Sequence, residues 1–167
     1  MIPQEFNLIS TLNVFENIFL GNEKRKGWLL NKAEMRERTV ELLNDLDTDL
    51  DPESLIENLS VAQKQMVEIA KALVNESQIL IMDEPTTVLT NHEVEVLFRL
   101  VDKLKERGVT ILFISHKLKE VKRLCDRLVI LRDGHLVSID EVADIDEQEM
   151  AEKMVGRELN KIYPTKT

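Results

Sequence analysis

The sequence predicts an α/β fold in which a helical subdomain, residues 1–76, precedes a mostly parallel sheet layer, residues 77–167. Short apolar runs at 79–82 and 110–114 lack polar alternation, which is typical of strands buried on both faces of a parallel sheet. Amphipathic helical segments follow each of these runs. Before residue 76 the pattern of apolar residues is mainly helical.

The composition is that of a globular protein without a nucleic-acid partner. Apolar residues make up 43% of the 167 residues and aromatic residues only 4%, so the core must consist mainly of aliphatic side chains. The net charge of −9 argues against binding to a phosphate backbone. Nucleotides remain possible ligands, because helix N-termini bind phosphate without net positive charge.

Nothing in the sequence indicates a membrane span or a disulfide. No apolar run approaches the roughly 20 residues that a spanning helix needs. The N-terminal segment lacks the pattern of a signal peptide. The single cysteine, Cys125, is expected to act as a small core hydrophobe, in keeping with a reducing cytosol. Any membrane role is therefore expected to depend on a partner.

Helix-start signals divide the first half of the chain. A capping residue followed three places later by Glu or Gln occurs at Asn13, Asn31 and Ser60. Residues 21–27 are expected to form a polar, basic loop. The acidic stretch 47–58, which contains Pro52, is expected to be a linker or turn outside the core.

The second half alternates strands and helices. After the strand at 79–82, a helix is predicted from Thr90 or Asn91 to Gly108, and a second strand follows at 110–114. A short helix then precedes a third strand at 128–131. Asp133-Gly134 predicts a hairpin turn into a strand at 136–139. The last helix is predicted over 147–155.

Two strand ends carry groups suited to nucleotide hydrolysis. Asp83 and Glu84 follow the first strand and His116 follows the second, so we expect them to lie close together at one sheet edge. A carboxylate there can hold Mg²⁺, its neighbour can polarise a water, and an imidazole can contact a phosphate. Taken alone, however, Asp-Glu-Pro can simply end a strand. His92 and His135 have no companions for a metal site of His and Cys ligands.

The helix start at Ser60 also has two interpretations. Most capping boxes only begin a helix. This one also leaves first-turn amides and the positive end of the helix dipole pointing outward, which suits a phosphate group.

Taken in order, four motifs resemble the nucleotide-binding domain of ABC transporters. They are Gln4, the segment 59–63 (Leu-Ser-Val-Ala-Gln), the segment 79–85 (Ile-Leu-Ile-Met-Asp-Glu-Pro) and the segment 114–116 (Ile-Ser-His). The resemblance implies a partial P-loop NTPase fold that uses ATP and Mg²⁺. It makes Gln4 the Q-loop sensor and a Mg²⁺ ligand, Asp83 the Mg²⁺-positioning residue, Glu84 the general base and His116 the switch histidine. The signature residues Ser60, Val61, Ala62 and Gln63 would then contact ATP held by a second, facing domain.

The resemblance is strongest to importers of sugars such as ribose, galactose and xylose. The segment 66–73 after the signature and the ending 154–164 look like that group. This implies transmembrane permease subunits and a second nucleotide-binding domain as partners, with no nucleic acid. It also implies a cytoplasmic protein at the inner face of the cell membrane.

The phosphate-binding loop of the family, Gly, four residues, then Gly-Lys and Ser or Thr, has no match here. Gly21 and Gly27 have the wrong spacing, and Trp28 follows them. The chain therefore looks like a truncated domain. We expect it neither to bind ATP tightly nor to hydrolyse it alone. We also expect it to self-associate, because sheet edges and apolar faces should be exposed. Val61-Ala62 also replaces the usual glycine pair of the signature.

Two other functions stay open at this point. A soluble ABC-type ATPase acting on DNA or ribosomes would share the fold, but the acidic charge and the absence of a long coiled coil argue against it. A non-catalytic interaction fragment is the third possibility.

Overall fold

The computed structural model describes residues 2, 7–74 and 77–156, and the chain divides into two compact units, Met1–Ile114 and Ser115–Thr167. This division differs from the motif-based boundary at residue 76, which stays a prediction. The helices are α1 Val14–Ile18, α2 Lys32–Asp45, α3 Val61–Leu73, α4 Asn91–Glu106, α5 Leu118–Leu124 and α6 Glu147–Val155. The strands are β1 Arg25–Lys26, β2 Leu29–Leu30, β3 Ile79–Asp83, β4 Thr110–Ile114, β5 Arg127–Arg132 and β6 His135–Glu141.

The predicted caps begin the helices of the first unit. The Asn13 side chain accepts from the Glu16 amide at 3.0 Å, and the Asn31 side chain accepts from the Glu34 amide at 3.4 Å. Each bond satisfies one of the amides that a helix start leaves without an intrahelical partner. Helix α1 packs against both α2 and α3. The buried apolar residues of these helices include Phe15, Ile18, Phe19, Leu43, Leu46, Met66 and Ile69, and the polar side chains Asn17, Thr39, Gln65 and Glu68 are buried among the same helices.

The acidic stretch 47–58 was predicted to lie outside the core, and for two residues this is wrong. Leu50 and Ile56 are buried, and residues 56–58 form a short 3₁₀ turn. The carbonyl oxygens of Pro52 and Ser54 accept from the first amides of α1, at 3.1 and 3.0 Å. Because these amides at the start of α1 have no acceptor within the helix, the carbonyl groups of the stretch 47–58 bind them, and the stretch packs against the helical core.

The predicted basic loop at 21–27 is only partly a loop. Arg25 pairs with Leu30 and Lys26 with Leu29, which makes an antiparallel hairpin with Gly27 and Trp28 as its turn. Gly27 has a φ of 66°, and a glycine with positive φ is favoured at the first position of such two-residue turns. All four strand residues are exposed.

Strands β3 and β4 pair in parallel over their whole length, from Ile79 opposite Thr110 to Asp83 opposite Ile114. On the other side of β3, Ile2 forms a parallel bridge with Met82. The amide of Ile2 donates to the Ile81 carbonyl at 2.7 Å, and its own carbonyl accepts from the Asp83 amide at 3.0 Å. Strand β3 is therefore central within the described part of this sheet.

The prediction that both strands are buried on both faces is wrong for one face. Leu80 and Met82 are buried on the face shared with Ile111 and Phe113, and α4 packs against β4. On the opposite face, Ile79, Leu112 and Ile114 are 62%, 52% and 44% exposed. An apolar run is compatible with either environment, because burial is decided by the elements that pack on the sheet and not by the strand alone.

The second unit contains a helix pair and a hairpin. Asp133 and Gly134 both have positive φ, 52° and 77°, as a type I′ turn requires, so the predicted turn is confirmed. Strand β5 pairs antiparallel with β6, in a sheet of their own within the described residues. Helices α5 and α6 pack together around Val121, Val142, Ile145 and Met150. Cys125 is partly buried against this cluster, as expected for a small hydrophobe.

Candidate functional site

The carboxylate pair lies at the carboxyl end of the central strand. Asp83 is the last residue of β3 and is half-buried, and its amide donates a hydrogen bond to the Ile2 carbonyl. The Glu84 amide donates to the Ile114 carbonyl at 2.9 Å, so the chain stays tied to the end of β4 one residue beyond the strand. Both carboxylates therefore project from backbone that is fixed by its neighbours on two sides.

Glu84 has an uncommon backbone conformation. Its φ is +49°, in the left-handed region that residues with a Cβ atom rarely occupy. Such a conformation costs about 1–2 kcal/mol and persists only where the surroundings impose it. The bond from the Glu84 amide to Ile114 and a turn closed by the Thr87 amide on the Glu84 carbonyl, at 3.3 Å, impose it here. The observed strain marks this position as a candidate for function.

Thr87 holds the Glu84 side chain. Its Oγ1 lies 3.0 Å from the Glu84 carbonyl oxygen and 3.3 Å from the carboxylate Oε2. The hydroxyl hydrogen can be donated to one of these acceptors at a time. The threonine thus restricts the movement of the carboxylate. No motif in the sequence indicated this role for Thr87.

The carboxylate oxygens of Asp83 and Glu84 are suitable ligands for a Mg²⁺ ion that is also bound by a nucleotide. Among the described residues no group of three or more His, Cys, Asp and Glu side chains could hold a metal ion by itself. Magnesium, however, is commonly bound through one or two carboxylates, with phosphate oxygens and water completing its octahedron. Asp83, with Glu84 beside it, matches that mode of binding.

The second candidate element is the start of α3. The Gln63 amide donates to Ser60 Oγ at 3.2 Å, and the Ser60 amide donates to Gln63 Oε1 at 2.9 Å, so the predicted capping box is confirmed. These two bonds use the amides of Ser60 and Gln63. The Val61 and Ala62 amides are the remaining donors of the first turn, and Val61 is 52% exposed. The helix start therefore presents two amides and a positive dipole end at an accessible surface.

Polar side chains on α1 and α3 form hydrogen bonds with the backbone of residues 7–9, a few positions after Gln4. Glu68, in the middle of α3 and buried, accepts from the Asn7 amide, and Lys71 Nζ donates to the Asn7 carbonyl at 2.9 Å. Asn17 of α1, fully buried, accepts from the Ile9 amide at 2.8 Å and donates to the Ile9 carbonyl at 3.0 Å. None of the sequence motifs singled out Glu68, Lys71 or Asn17. A charged or amide side chain within an otherwise apolar helix face was the available signal.

Two predicted site residues are less closely defined. Gln4 lies outside the described residues. His116 is exposed and follows β4 by two positions, within the second unit. There Ser115 Oγ accepts from the Lys117 amide at 3.0 Å and lies 3.3 Å from Glu120 Oε2, which shapes the turn before α5. The convergence of His116 with Asp83 and Glu84 stays a prediction.

Solved structures similar to this chain include ATP-binding cassettes. A dimeric ATP-binding cassette in a post-hydrolysis state with ADP and phosphate superposes with a TM-score of 0.73 at 27% identity, covering 84% of this chain and 61% of that chain. A dimeric bacterial ABC transporter cassette gives 0.72 with the same identity and coverage. Within residues 2, 7–74 and 77–156, none of the helices combines the length and the apolar composition that a membrane span requires.

Similar sequences include import ATP-binding proteins. A galactose/methyl galactoside import ATP-binding protein of Fusobacterium nucleatum is 42% identical over 166 residues, covering 99% of this chain and 33% of that protein. A ribose import ATP-binding protein of Hahella chejuensis is 45% identical over 168 residues, covering 100% of this chain and 34% of that protein. The chain thus spans about a third of the length of these relatives.

The family model described as "ABC transporter" matches residues 1–87, just over half of the chain. These residues include the capped start of α3 at Ser60 and the carboxylate pair. With the fold, the strand-end carboxylates and the capped α3 in agreement, the chain belongs to the ABC transporter family.

Proposed function

We propose that this chain supplies the hydrolytic carboxylates and the signature helix of an ATPase domain that drives sugar import. The observation that carries the proposal is Glu84, held in a strained left-handed conformation directly after Asp83 at the end of a parallel strand. The names of the relatives support the import of ribose or galactose-type sugars.

Each residue would have a distinct task. Asp83 would hold Mg²⁺ through water, and Glu84 would accept a proton from the water that attacks the γ-phosphate. Thr87 would keep the Glu84 carboxylate on the attacking side. Bound Mg²⁺ would neutralise charge on the phosphate oxygens. His116 would donate a hydrogen bond to the phosphoryl group that is being transferred.

The signature helix would act on a second nucleotide. The Val61 and Ala62 amides and the Ser60 hydroxyl would donate to phosphate oxygens of a nucleotide held by a facing domain. The dimeric cassettes to which this chain is similar support such an arrangement. We therefore propose a second nucleotide-binding domain and permease subunits as partners, with the chain at the cytoplasmic face of the membrane.

The apolar sheet face fits a parent domain that is larger than this chain. Ile79, Leu112 and Ile114 would be covered there by further elements of the ATPase domain. The same parent would provide the phosphate-binding loop that the 167-residue sequence does not contain. The chain alone is then expected to show no micromolar binding of Mg-ATP in calorimetry, and such binding would contradict this expectation.

A chimera tests the catalytic assignment. This chain replaces the matching residues of the Fusobacterium nucleatum relative, and ATP turnover of the chimera is measured with and without Glu84→Gln. Loss of the general base should lower turnover about 10²–10⁴-fold while ATP binding is retained. Glu95→Gln, an exposed carboxylate change on α4, is the matched control and should leave turnover unchanged. Equal turnover of the Glu84→Gln and unsubstituted chimeras would refute the assignment.

A further inference from the structure

Among the described residues of the first unit, the β1–β2 hairpin contains the two most exposed large apolar side chains, Trp28 and Leu29. Trp28 at its turn is 101% exposed, and Leu29 and Leu30 after it are 77% and 47% exposed. A hairpin with only two residues in each strand has no apolar face of its own to bury them. Large apolar groups in this state of exposure are typical of a surface that meets a partner.

The charge of the hairpin is opposite to that of the chain. Lys24, Arg25 and Lys26 are consecutive cations in a chain of net charge −9. Glu23 is their acidic neighbour; hydrogen bonds from its own amide and that of Gly21, aided by the charge of Arg25, lower the pKa of its carboxyl. The cations precede the turn, and the apolar residues are at and after it. The register pairs each strand cation with a leucine, Arg25 with Leu30 and Lys26 with Leu29.

This arrangement suits a lipid interface better than a protein groove. Tryptophan is favoured at the boundary between headgroups and acyl chains, and long basic side chains can lie on apolar surface while their charge reaches the headgroups. Leucine and basic residues are mixed on both faces of the hairpin, so neither face is apolar enough to pack on a protein core. Clustered Lys and Arg residues are attracted to anionic leaflets.

We propose that the β1–β2 hairpin is a membrane-contact element that inserts Trp28 and Leu29 into the headgroup region of an anionic bilayer while Lys24, Arg25 and Lys26 bind lipid phosphates. The contact needs neither ATP nor a permease, so it is independent of the proposed function.

The single tryptophan of the chain provides the probe. The purified 167-residue chain is titrated with vesicles of phosphatidylcholine and phosphatidylglycerol in equal parts, and Trp28 emission is recorded. Emission typical of a water-exposed indole should move to shorter wavelength as lipid is added. Vesicles of phosphatidylcholine alone should give a much smaller shift, and added salt should reverse binding to the anionic vesicles.

Matched variants separate the hairpin cations from overall charge. Neutralising Lys24, Arg25 and Lys26 to Gln should weaken binding about a hundredfold, since each basic residue near an anionic surface contributes roughly a fivefold factor. The same three changes at Lys103, Lys105 and Arg107, at the end of α4, alter the net charge equally and should leave binding nearly unchanged. Circular dichroism checks that both variants are folded. Trp28→Ala, followed by vesicle flotation because it has no probe, should also weaken binding.

Three outcomes would overturn the proposal. They are an unchanged emission spectrum in anionic vesicles, equal weakening by the hairpin and α4 variants, and emission that is already shifted without lipid and depends on protein concentration. The last would indicate that another copy of the chain, and not a bilayer, covers Trp28.

Discussion

Replacing Glu84 by glycine tests whether its backbone is under strain. The left-handed conformation costs a residue with a Cβ atom about 1–2 kcal/mol, and glycine adopts it at almost no steric cost. Glycine also has more freedom when unfolded, which offsets about 0.5–1 kcal/mol of the gain. Glu84→Gly loses the contact between Thr87 Oγ1 and Glu84 Oε2, 3.3 Å apart at the surface, which contributes little.

Comparison with alanine isolates the strain. Glu84→Ala loses the same carboxylate but keeps the Cβ atom, so the glycine variant should be more stable than the alanine variant by about 1 kcal/mol. At Glu95, an exposed position within α4, the order should reverse, because glycine in a helix is about 1 kcal/mol less favourable than alanine. Glycine should therefore be more stabilising than alanine at position 84 and less stabilising than alanine at position 95.

Urea unfolding followed by circular dichroism measures this difference. With a slope of roughly 2 kcal/mol per molar urea, 1 kcal/mol moves the midpoint by about 0.5 M. The midpoint should be higher for Glu84→Gly than for Glu84→Ala, and lower for Glu95→Gly than for Glu95→Ala. A glycine variant at position 84 that is no more stable than the alanine variant would refute the claim that the backbone is strained there.

Further predictions concern the cap, an ion pair and the exposed sheet face. Ser60→Ala should lower the free energy of unfolding by about 1 kcal/mol in urea titrations, whereas Ser60→Asp should retain most of it; equal loss in both would contradict the capping role. Hydrogen bonds from Ser138 and Lys153 lower the pKa of Asp140, so its stabilising effect is present above the unfolded pKa of about 3.9 and is lost as pH falls through the lower folded value. Asp140→Asn should flatten that acid dependence in pH-dependent unfolding, and an unchanged profile would count against it. The predicted self-association should weaken in light scattering when Leu112 and Ile114 are both changed to Ser, and an unchanged mass for a chain that does associate would exclude this face.

Local rules account for most of the elements that the sequence predicted. The caps at Asn13 and Ser60 and the turn at Asp133-Gly134 each depend on the chemistry of a few neighbouring residues, and all three form as predicted. The short hairpin at Gly27-Trp28 was missed because its strands are too brief for alternation and its turn is not of the Asn-Gly type.

Features that depend on contacts between distant parts of the chain could not be predicted from local sequence patterns. The apolar run of β4 predicted the strand but did not predict that one face of it is exposed. The exposure of a sheet face depends on which other elements pack against that face. The bridge between Ile2 and Met82 joins residues far apart in sequence. For the site, Asp83 and Glu84 were located by their position after an apolar run, while the conformation of Glu84 depends on its bond to Ile114.

The nucleotide retained by the Glu84→Gln chimera tests the central claim most directly. If Glu84 activates the attacking water, the purified variant, incubated with Mg-ATP and freed of unbound nucleotide, should hold ATP in place of ADP. Predominant ADP, formed at the rate of the unsubstituted chimera, would show that the carboxylate at the end of β3 is not the base.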